Sequence, residues 1–236
     1  MDCCSGPSGA SGRDPGRESG REPKGYDEFF SQGFSRSSAR RYDRRGLARL
    51  AGRVVDFLES RGIRDATVLE VGGGIGDLHV ELLRRGAATA TNLEMSTSYD
   101  ADARALLERH DLVGRVDRRM VDIALDPEVV APADVVVLNR VVCCYPDYET
   151  LLTAAGERAG SLLAFSHPTD SALNRMVTRL ENAWFALRHQ EFRTYAHDPE
   201  AMVAVVEATG LREVARHRGF VWSFVGFERP AHPAGS

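Results

Sequence analysis

The sequence predicts an α/β fold in which a doubly wound, mostly parallel sheet carries helices on both faces. Three observations predict it: short apolar runs alternate with helical patterns after Gly62, a glycine-rich turn follows the first run, and a short turn separates the last two runs. Alternating strands and helices build parallel sheets, whereas a short turn joins antiparallel strands. We therefore expect an antiparallel edge strand as well, together with an N-terminal helix and a helical insertion after the fifth strand.

Composition narrows the class of protein. The 236 residues carry a formal net charge of −4 and are 43% hydrophobic, which suits one domain with its own core and gives no general attraction to nucleic acid. The apolar runs fall short of the ~18 residues of a membrane span, and the N-terminus lacks the apolar region of a secretory signal. We therefore expect a cytoplasmic protein with neither a nucleic-acid partner nor a membrane partner.

The chain divides into three segments. Residues 1–25 are rich in glycine, serine and proline and too polar to bury a core, so we expect a disordered tail or a tail that folds on a partner. Residues 26–230 form the predicted domain, and residues 231–236 a short flexible C-terminus. Lys24, in the tail, is the only lysine, which excludes from the domain those sites that need a phosphate-binding or Schiff-base lysine.

Each element of the domain follows from its own pattern. Apolar residues at helical spacing from Leu47 to Leu58 predict the N-terminal helix, which Gly62 ends. Runs rich in β-branched and apolar residues predict strands over 66–71, 88–94, 115–122, 133–139, 161–167, 212–219 and 221–229. Helical patterns predict helices over 76–85, 98–110, 146–159 and 171–187, and one between Asp198 and Gly210.

The glycine-rich turn lies in the run VLEVGGGIGDL, residues 68–78. A dinucleotide-binding turn would need its third glycine at position 77, where Asp77 stands instead. The pattern is therefore G-x-G-x-G over Gly72, Gly74 and Gly76, and Glu70 precedes the first glycine by two positions. Such a turn lets the backbone approach a ligand closely, and the helix after it directs free N–H groups at an anion.

This run resembles the matching motif of class I S-adenosylmethionine-dependent methyltransferases, proteins with a Rossmann-like fold, and the resemblance covers about residues 26–230. It implies S-adenosyl-L-methionine as cofactor, with its methionyl carboxylate at the glycine turn, its ribose at Glu94 and its adenine amino group at Asp122. The cofactor-binding residues that it implies lie at the ends of the first four strands: Glu70, Gly72, Gly73, Gly74, Gly76, Glu94, Met95, Asp122, Ile123 and Asn139.

Candidate residues for the chemistry follow the fourth and fifth strands. Cys143 and Cys144 stand where the resembling family often has histidines, and we expect Cys144 in the substrate pocket or as apolar filling at the strand end. His167 and Tyr145 are the catalytic candidates, and His167 is either a general base or a residue hydrogen-bonded within its own turn. Histidine and cysteine spacing is not typical of a metal site, so we expect no metal.

The stretch of residues 171–199 is longer than an ordinary crossover. Apolar residues recur in it at helical spacing and predict either a packing helix or a cover over the acceptor pocket: Leu173, Met176 or Val177, Leu180, Trp184 and Leu187. As a cover, it would line the substrate pocket with Trp184, Phe185 and Phe192. This stretch and the FSHP segment before it distantly resemble magnesium-protoporphyrin O-methyltransferases, a resemblance that implies a carboxylate acceptor.

Arginines accumulate before and within the N-terminal helix. They form either a solvated basic face or a grip for a substrate carboxylate or phosphate. The residues are Arg36, Arg40, Arg41, Arg44, Arg45, Arg49 and Arg53.

The combined prediction is methyl transfer from S-adenosylmethionine to a small-molecule acceptor, by O- or N-methylation, with a carboxylate as a candidate acceptor group. One alternative is a catalytically inactive S-adenosylmethionine-binding protein that acts as a sensor or partner subunit. Another is an NAD-linked oxidoreductase, against which Asp77 in place of the third glycine argues. We expect a monomer or a homodimer.

Overall fold

The computed structural model describes residues 25–230, and in this range strands and helices alternate as the sequence predicts. The predicted tail up to residue 24 and the predicted C-terminal segment 231–236 lie outside the described residues. Within the described range, none of the helices combines the length and the apolar character that crossing a membrane would require.

Seven strands form one sheet. In chain order they are β1 Thr67–Val71, β2 Thr89–Glu94, β3 Val116–Met120, β4 Ala133–Leu138, β5 Ala159–Pro168, β6 Arg212–His217 and β7 Trp222–Glu228. The order across the sheet is β3-β2-β1-β4-β5-β7-β6. The first five strands pair in parallel, and β7 runs antiparallel to both β5 and β6. The predicted parallel sheet with antiparallel pairing at one edge is therefore confirmed, with β7 inserted beside the edge strand β6.

Eight helices surround the sheet in the described range: α1 Tyr26–Phe29, α2 Gln32–Arg45, α3 Arg49–Ser60, α4 Asp77–Arg84, α5 Asp100–Arg109, α6 Tyr148–Arg158, α7 Ala172–Leu187 and α8 Pro199–Ala208. Three begin at side-chain caps, because Asp147, Ser171 and Asp198 each accept a hydrogen bond from a backbone N–H of the first turn. The N-terminal region holds three helices rather than one, since Gly46 adopts φ 66° and ends α2.

The core has two layers, one on each face of the sheet. Alternate strand residues point to opposite faces, so that Val135 and Val137 join the apolar side chains of α3, α4 and α5. Their neighbours Val136 and Leu138 join those of α6 and α8 instead. Helices cover both faces of the central strands. A ligand can therefore reach these strands at their carboxyl ends.

Candidate functional site

A cavity of about 200 Å³ opens at the carboxyl ends of β1 and β4. These two strands are neighbours in the sheet but their crossovers run in opposite directions, which makes this edge the topological switch point where open α/β sheets bind ligands. The cavity wall combines the glycine turn, the first two helices and the segment after β4. The polar residues and glycines that line it include Ser38, Arg41, Gly72, Gly73, Gly74, Asp77, Glu94, Asn139, Arg140 and Cys144.

The turn after β1 needs glycine for two different reasons. Gly74 lines the cavity and adopts φ 57°, so a side chain there would be strained and would approach the Tyr99 ring to 3.4 Å. Gly76 adopts φ 83°, and a Cβ atom there would lie 2.2 Å from Cε1 of His79. Gly74 therefore allows a backbone conformation at the cavity wall that a side chain would strain, whereas Gly76 lets the helix α4 pack against the turn.

A buried polar network supports the turn from below. Nδ1 of His79 lies 2.5 Å from Oε2 of Glu70, and both side chains are only 2% exposed. Arg118 donates to the carbonyl oxygen of Gly74 at 3.0 Å and to Asn92. Glu70 therefore lies beneath the glycine turn and outside the cavity wall. His79 carried no sequence signal, because the turn that pairs it with Glu70 separates the two by nine positions.

Glu94, at the end of β2, joins the second strand to the glycine turn. Its buried carboxylate accepts hydrogen bonds from the backbone N–H groups of Gly74 at 2.7 Å, Met95 at 2.8 Å and Ser96 at 3.2 Å. Burial raises the pKa of Glu94, and the hydrogen bonds from Met95 and Gly74 oppose that rise. The carboxylate therefore fixes the turn and also lines the cavity.

A second, smaller cavity of about 40 Å³ adjoins the first. Both cavities are lined by Tyr26, Gly72, Glu94 and Val141, and the second adds Met95, Asp122, Ile123 and Tyr145. Asp122 accepts hydrogen bonds from the Tyr145 hydroxyl at 2.9 Å and from the Ala124 N–H at 3.0 Å. Burial raises the pKa of Asp122. The structure thus brings the predicted residues after β2 and β3 together around one slot.

Other predicted residues lie apart from the two cavities. His167 is buried, its Nδ1 donates to the Pro168 carbonyl oxygen at 2.8 Å, and burial lowers its pKa. Trp184 is 53% exposed on α7, and Phe192 is buried against Phe29. Among residues 25–230, no group of histidine, cysteine, aspartate or glutamate side chains has the size that a metal site requires.

The helix α1, and not α7, contributes to the walls of the two cavities, because Tyr26 lines both. The Tyr26 hydroxyl donates to the carbonyl oxygen of Cys144 at 2.7 Å, and Asp27 accepts from the Ser96 hydroxyl at 2.7 Å. The Phe29 ring stacks on Phe192 with centroids 4.0 Å apart. Sequence reasoning missed α1 because a four-residue helix carries no periodic pattern.

The arginines of the N-terminal region do not lie together at one site. Arg41 on α2 lines the cavity, whereas the other six are exposed outside the cavity wall. Arg140, directly after β4, lines the same cavity and adopts φ 63°, a left-handed conformation that costs energy for any residue with a side chain. Its guanidinium group lies over the Trp222 ring, 4.8 Å from the centroid. Burial lowers the pKa of Arg140, and the charge of Arg41 lowers it further.

Asp77, in the first turn of α4, predicts a measurable pH dependence. Burial raises its pKa from 3.8 to about 6, and the nearby Glu70 adds to the rise. Between about pH 4 and pH 6 the unfolded chain has released this proton while the folded protein keeps it, so the free energy of unfolding should fall as pH rises. We expect Asp77→Asn to remove this decline and to stabilise the protein by about 3 kcal/mol at pH 7.

Urea denaturation at pH 4 and at pH 7 measures this effect. The two proteins should have similar stability at pH 4 and should differ at pH 7. The matched control is Asp65→Asn, far from the cavity in the turn before β1. A difference in stability between the wild type and Asp77→Asn that is the same at pH 4 and at pH 7 would contradict the expected role of Asp77.

A family model described as a methyltransferase domain matches residues 40–221. No curated protein sequence matches the chain significantly.

Solved structures provide a further comparison. The chain is similar to magnesium protoporphyrin IX methyltransferase from Synechocystis PCC 6803, crystallised with S-adenosylhomocysteine, at 18% identity and a TM-score of 0.66 over 86% of this chain and 97% of that one. An O-methyltransferase family protein from Burkholderia thailandensis matches at 21% identity and a TM-score of 0.64, over 90% and 66% of the two chains.

A third structure is an O-methyltransferase family 2 protein from Planctomyces limnophilus in complex with apigenin. It matches at 17% identity and a TM-score of 0.60, over 84% of this chain and 62% of that one. At these identities the likeness establishes the shared fold.

Proposed function

The chain belongs to the methyltransferase domain family, and from this membership we propose that it transfers the methyl group of S-adenosylmethionine to a small molecule that carries a carboxylate. The observation that carries the proposal is the pair of adjoining cavities at the switch point of the sheet. The smaller cavity is lined by acids and apolar side chains that suit a nucleoside. The larger cavity is lined by two arginines, Arg41 and Arg140.

The residues at the two cavities fit the cofactor. Glu94 offers carboxylate oxygens at the junction of the cavities, where they can accept ribose hydroxyls. Asp122 offers an acceptor for an amino group, and Met95 and Ile123 offer apolar surfaces for a base. Gly74 lines the first cavity, where an amino-acid group would lie beside the turn. When bound, S-adenosylmethionine supplies an activated methyl group on sulfur.

The acceptor would lie on the side of Asn139, Arg140 and Cys144. Arg41 and Arg140 reach this cavity from different elements, and both interact electrostatically with Asp77, which lines the same cavity. Two like charges held near one cavity favour an anionic ligand, and guanidinium groups match the planar geometry of a carboxylate. The remaining wall includes Phe30, Phe34 and Ala51, which suit an apolar body. Apigenin in the related Planctomyces structure agrees with a small-molecule ligand for this fold.

Calorimetry and a transfer assay test the proposed function together. S-adenosylmethionine and S-adenosylhomocysteine should bind the full chain, and NADH should not. Methyl-labelled S-adenosylmethionine should then transfer its label to members of a panel of small carboxylic acids, and less to the corresponding amides. Failure of both S-adenosyl ligands to bind folded protein would reject the proposal. Binding without transfer to any acceptor would instead support the sensor or partner subunit.

The arginine pair yields a specific prediction. We expect Arg41→Met and Arg140→Met each to reduce transfer to the best acid of the panel at least about 10-fold, because each removes one charged hydrogen-bonding group from the carboxylate. Binding of S-adenosylhomocysteine should change less than about threefold. Arg44→Met is the matched control, because Arg44 is exposed on the same helix outside the cavity.

The methionyl part of the cofactor also has a carboxylate. A second ligand therefore tests whether the arginines bind the carboxylate of the acceptor or that of the cofactor. 5′-Methylthioadenosine lacks the amino-acid part of S-adenosylhomocysteine. If either substitution weakens S-adenosylhomocysteine but not 5′-methylthioadenosine, the arginine holds the cofactor, and the carboxylate acceptor loses its support while methyl transfer itself stands.

A further inference from the structure

The helix α7 presents its apolar side to solvent. Six large apolar side chains on it are between 41% and 73% exposed: Leu173, Met176, Val177, Leu180, Trp184 and Leu187. At 3.6 residues per turn they fall within an arc of about 100°, so they form one continuous stripe along the helix. We call them the α7 stripe. Contiguous apolar surface of this kind marks an interaction site in a folded protein.

The opposite side of α7 faces the rest of the protein and is largely polar. Asn174 donates to the carbonyl oxygen of Thr169 at 2.7 Å, and Asn182 donates to that of Thr194 at 2.7 Å. Within α7 the single buried side chain is that of Phe185. These contacts fix which side of the helix points inward, so the α7 stripe faces solvent, and within it the Trp184 ring is contacted by the Arg188 guanidinium group at 4.6 Å from the ring centroid.

The spacing of the stripe suits another helix. Leu173, Val177, Leu180, Trp184 and Leu187 follow one another at intervals of four, three, four and three residues. This alternation is the seam along which two helices pack side by side.

The stripe is also symmetric about its midpoint, Leu180. Leu173 and Leu187 lie seven residues to either side of Leu180, and Met176 and Trp184 lie four residues to either side. Two copies running antiparallel about a two-fold axis at Leu180 would place leucine on leucine and methionine on tryptophan. A surface that complements itself in this way is what a two-fold symmetric interface requires, and methionine sulfur packs favourably on aromatic rings.

We propose that the α7 stripe is the interface with a second copy of this chain, in which two α7 helices pack antiparallel across Leu180. The six side chains expose on the order of 600 Å² per copy, so the pair would bury about 1,200 Å², the lower limit of a stable specific interface.

The charges around α7 favour a protein partner over a lipid surface. Arg175 is paired with Asp170, Arg188 lies over the Trp184 ring, and Glu181 lies within the helix beside the stripe, so that Arg179 is the remaining arginine of residues 172–188. The helix therefore lacks the continuous basic face with which amphipathic helices attach to anionic membranes.

Light scattering coupled to size exclusion tests the proposal on the full chain. The wild-type protein should be a dimer at about 100 µM and dissociate on dilution, because an interface of this area gives moderate affinity. Leu180→Asp should yield a folded monomer. Val113→Asp is the matched control, because Val113 is 52% exposed but precedes the strand at the opposite edge of the sheet. A monomeric wild-type protein, or a dimer that survives Leu180→Asp, would overturn the proposal.

Engineered cysteines test the antiparallel arrangement. In a background with Cys3 and Cys4 replaced by serine, Leu180→Cys should form an oxidised dimer, because the axis brings position 180 of both copies together. Leu173→Cys alone should not, since equivalent positions would lie about 20 Å apart at 1.5 Å per residue. A mixture of Leu173→Cys and Leu187→Cys should cross-link. Cross-linking of Leu173→Cys alone, or binding of monomers to anionic phosphatidylglycerol vesicles through the stripe, would overturn the proposed pairing.

Discussion

Replacing Glu94 by alanine is expected to weaken the binding of S-adenosylhomocysteine about 100-fold. The carboxylate accepts three backbone hydrogen bonds that hold the glycine turn and the start of the following segment. Hydrogen bonds to a charged group contribute about 1.5–3 kcal/mol each, so losing this anchor together with the proposed ribose contact costs at least about 3 kcal/mol of binding free energy. That loss corresponds to about a 100-fold higher Kd.

Calorimetric titration measures this effect, and two further variants interpret it. Glu108→Ala removes an exposed glutamate that pairs with Arg104 on α5, and should leave binding unchanged. Glu94→Gln keeps the size of the side chain but turns an N–H donor toward the backbone, so its binding should fall between wild type and alanine. A folded Glu94→Ala protein with a Kd within about threefold of wild type would contradict the assigned role.

Replacing Gly76 by alanine is expected to destabilise the fold by about 3 kcal/mol or more. Its left-handed conformation costs a residue with Cβ about 1–2 kcal/mol. The new Cβ would also lie 2.2 Å from the His79 ring, which is buried and held by Glu70. The His79 ring can move only if its buried contact with Glu70 breaks. Breaking that contact lowers the free energy of unfolding by up to several kcal/mol more.

Gly62→Ala separates the two contributions. Gly62 has φ 89°, close to the value at Gly76, but a Cβ there would meet no atom within 4 Å. Urea denaturation should therefore show a loss of about 1 kcal/mol for Gly62→Ala, the backbone cost alone. Equal losses for the two substitutions would show that His79 accommodates the new methyl group and does not constrain the turn.

The strand-end residues could be predicted from sequence, and the physical reason is the parallel sheet. Strands that run in one direction bring their carboxyl ends to one edge, so the strand pattern alone predicts that Glu94, Asp122 and Asn139 lie together. The structure does bring them to adjoining cavities. Local sequence pattern and global topology agree at these positions, which is why the inference could be made.

The direction in which α7 faces could not be predicted in the same way. Periodicity identifies a stripe of apolar residues on a helix but does not say whether the stripe meets the core or another molecule. The answer depends on Asn174 and Asn182, whose hydrogen bonds to the backbone of the segments before and after the helix dock the polar side inward. His167 shows the same limit, because its position at a strand end is compatible with a cavity and its burial is set by the strands around it.

The short helix α1 has a consequence for the timing of ligand exchange. Tyr26 lines both cavities, so a ligand that spans them lies beneath this single helical turn. Ring stacking on Phe192 and a few hydrogen bonds hold α1, and releasing it leaves the sheet and its core intact. A ligand that spans both cavities therefore enters and leaves at a rate that depends on the local opening of α1. The residence time of such a ligand then depends on aromatic contacts that never touch its reacting atoms.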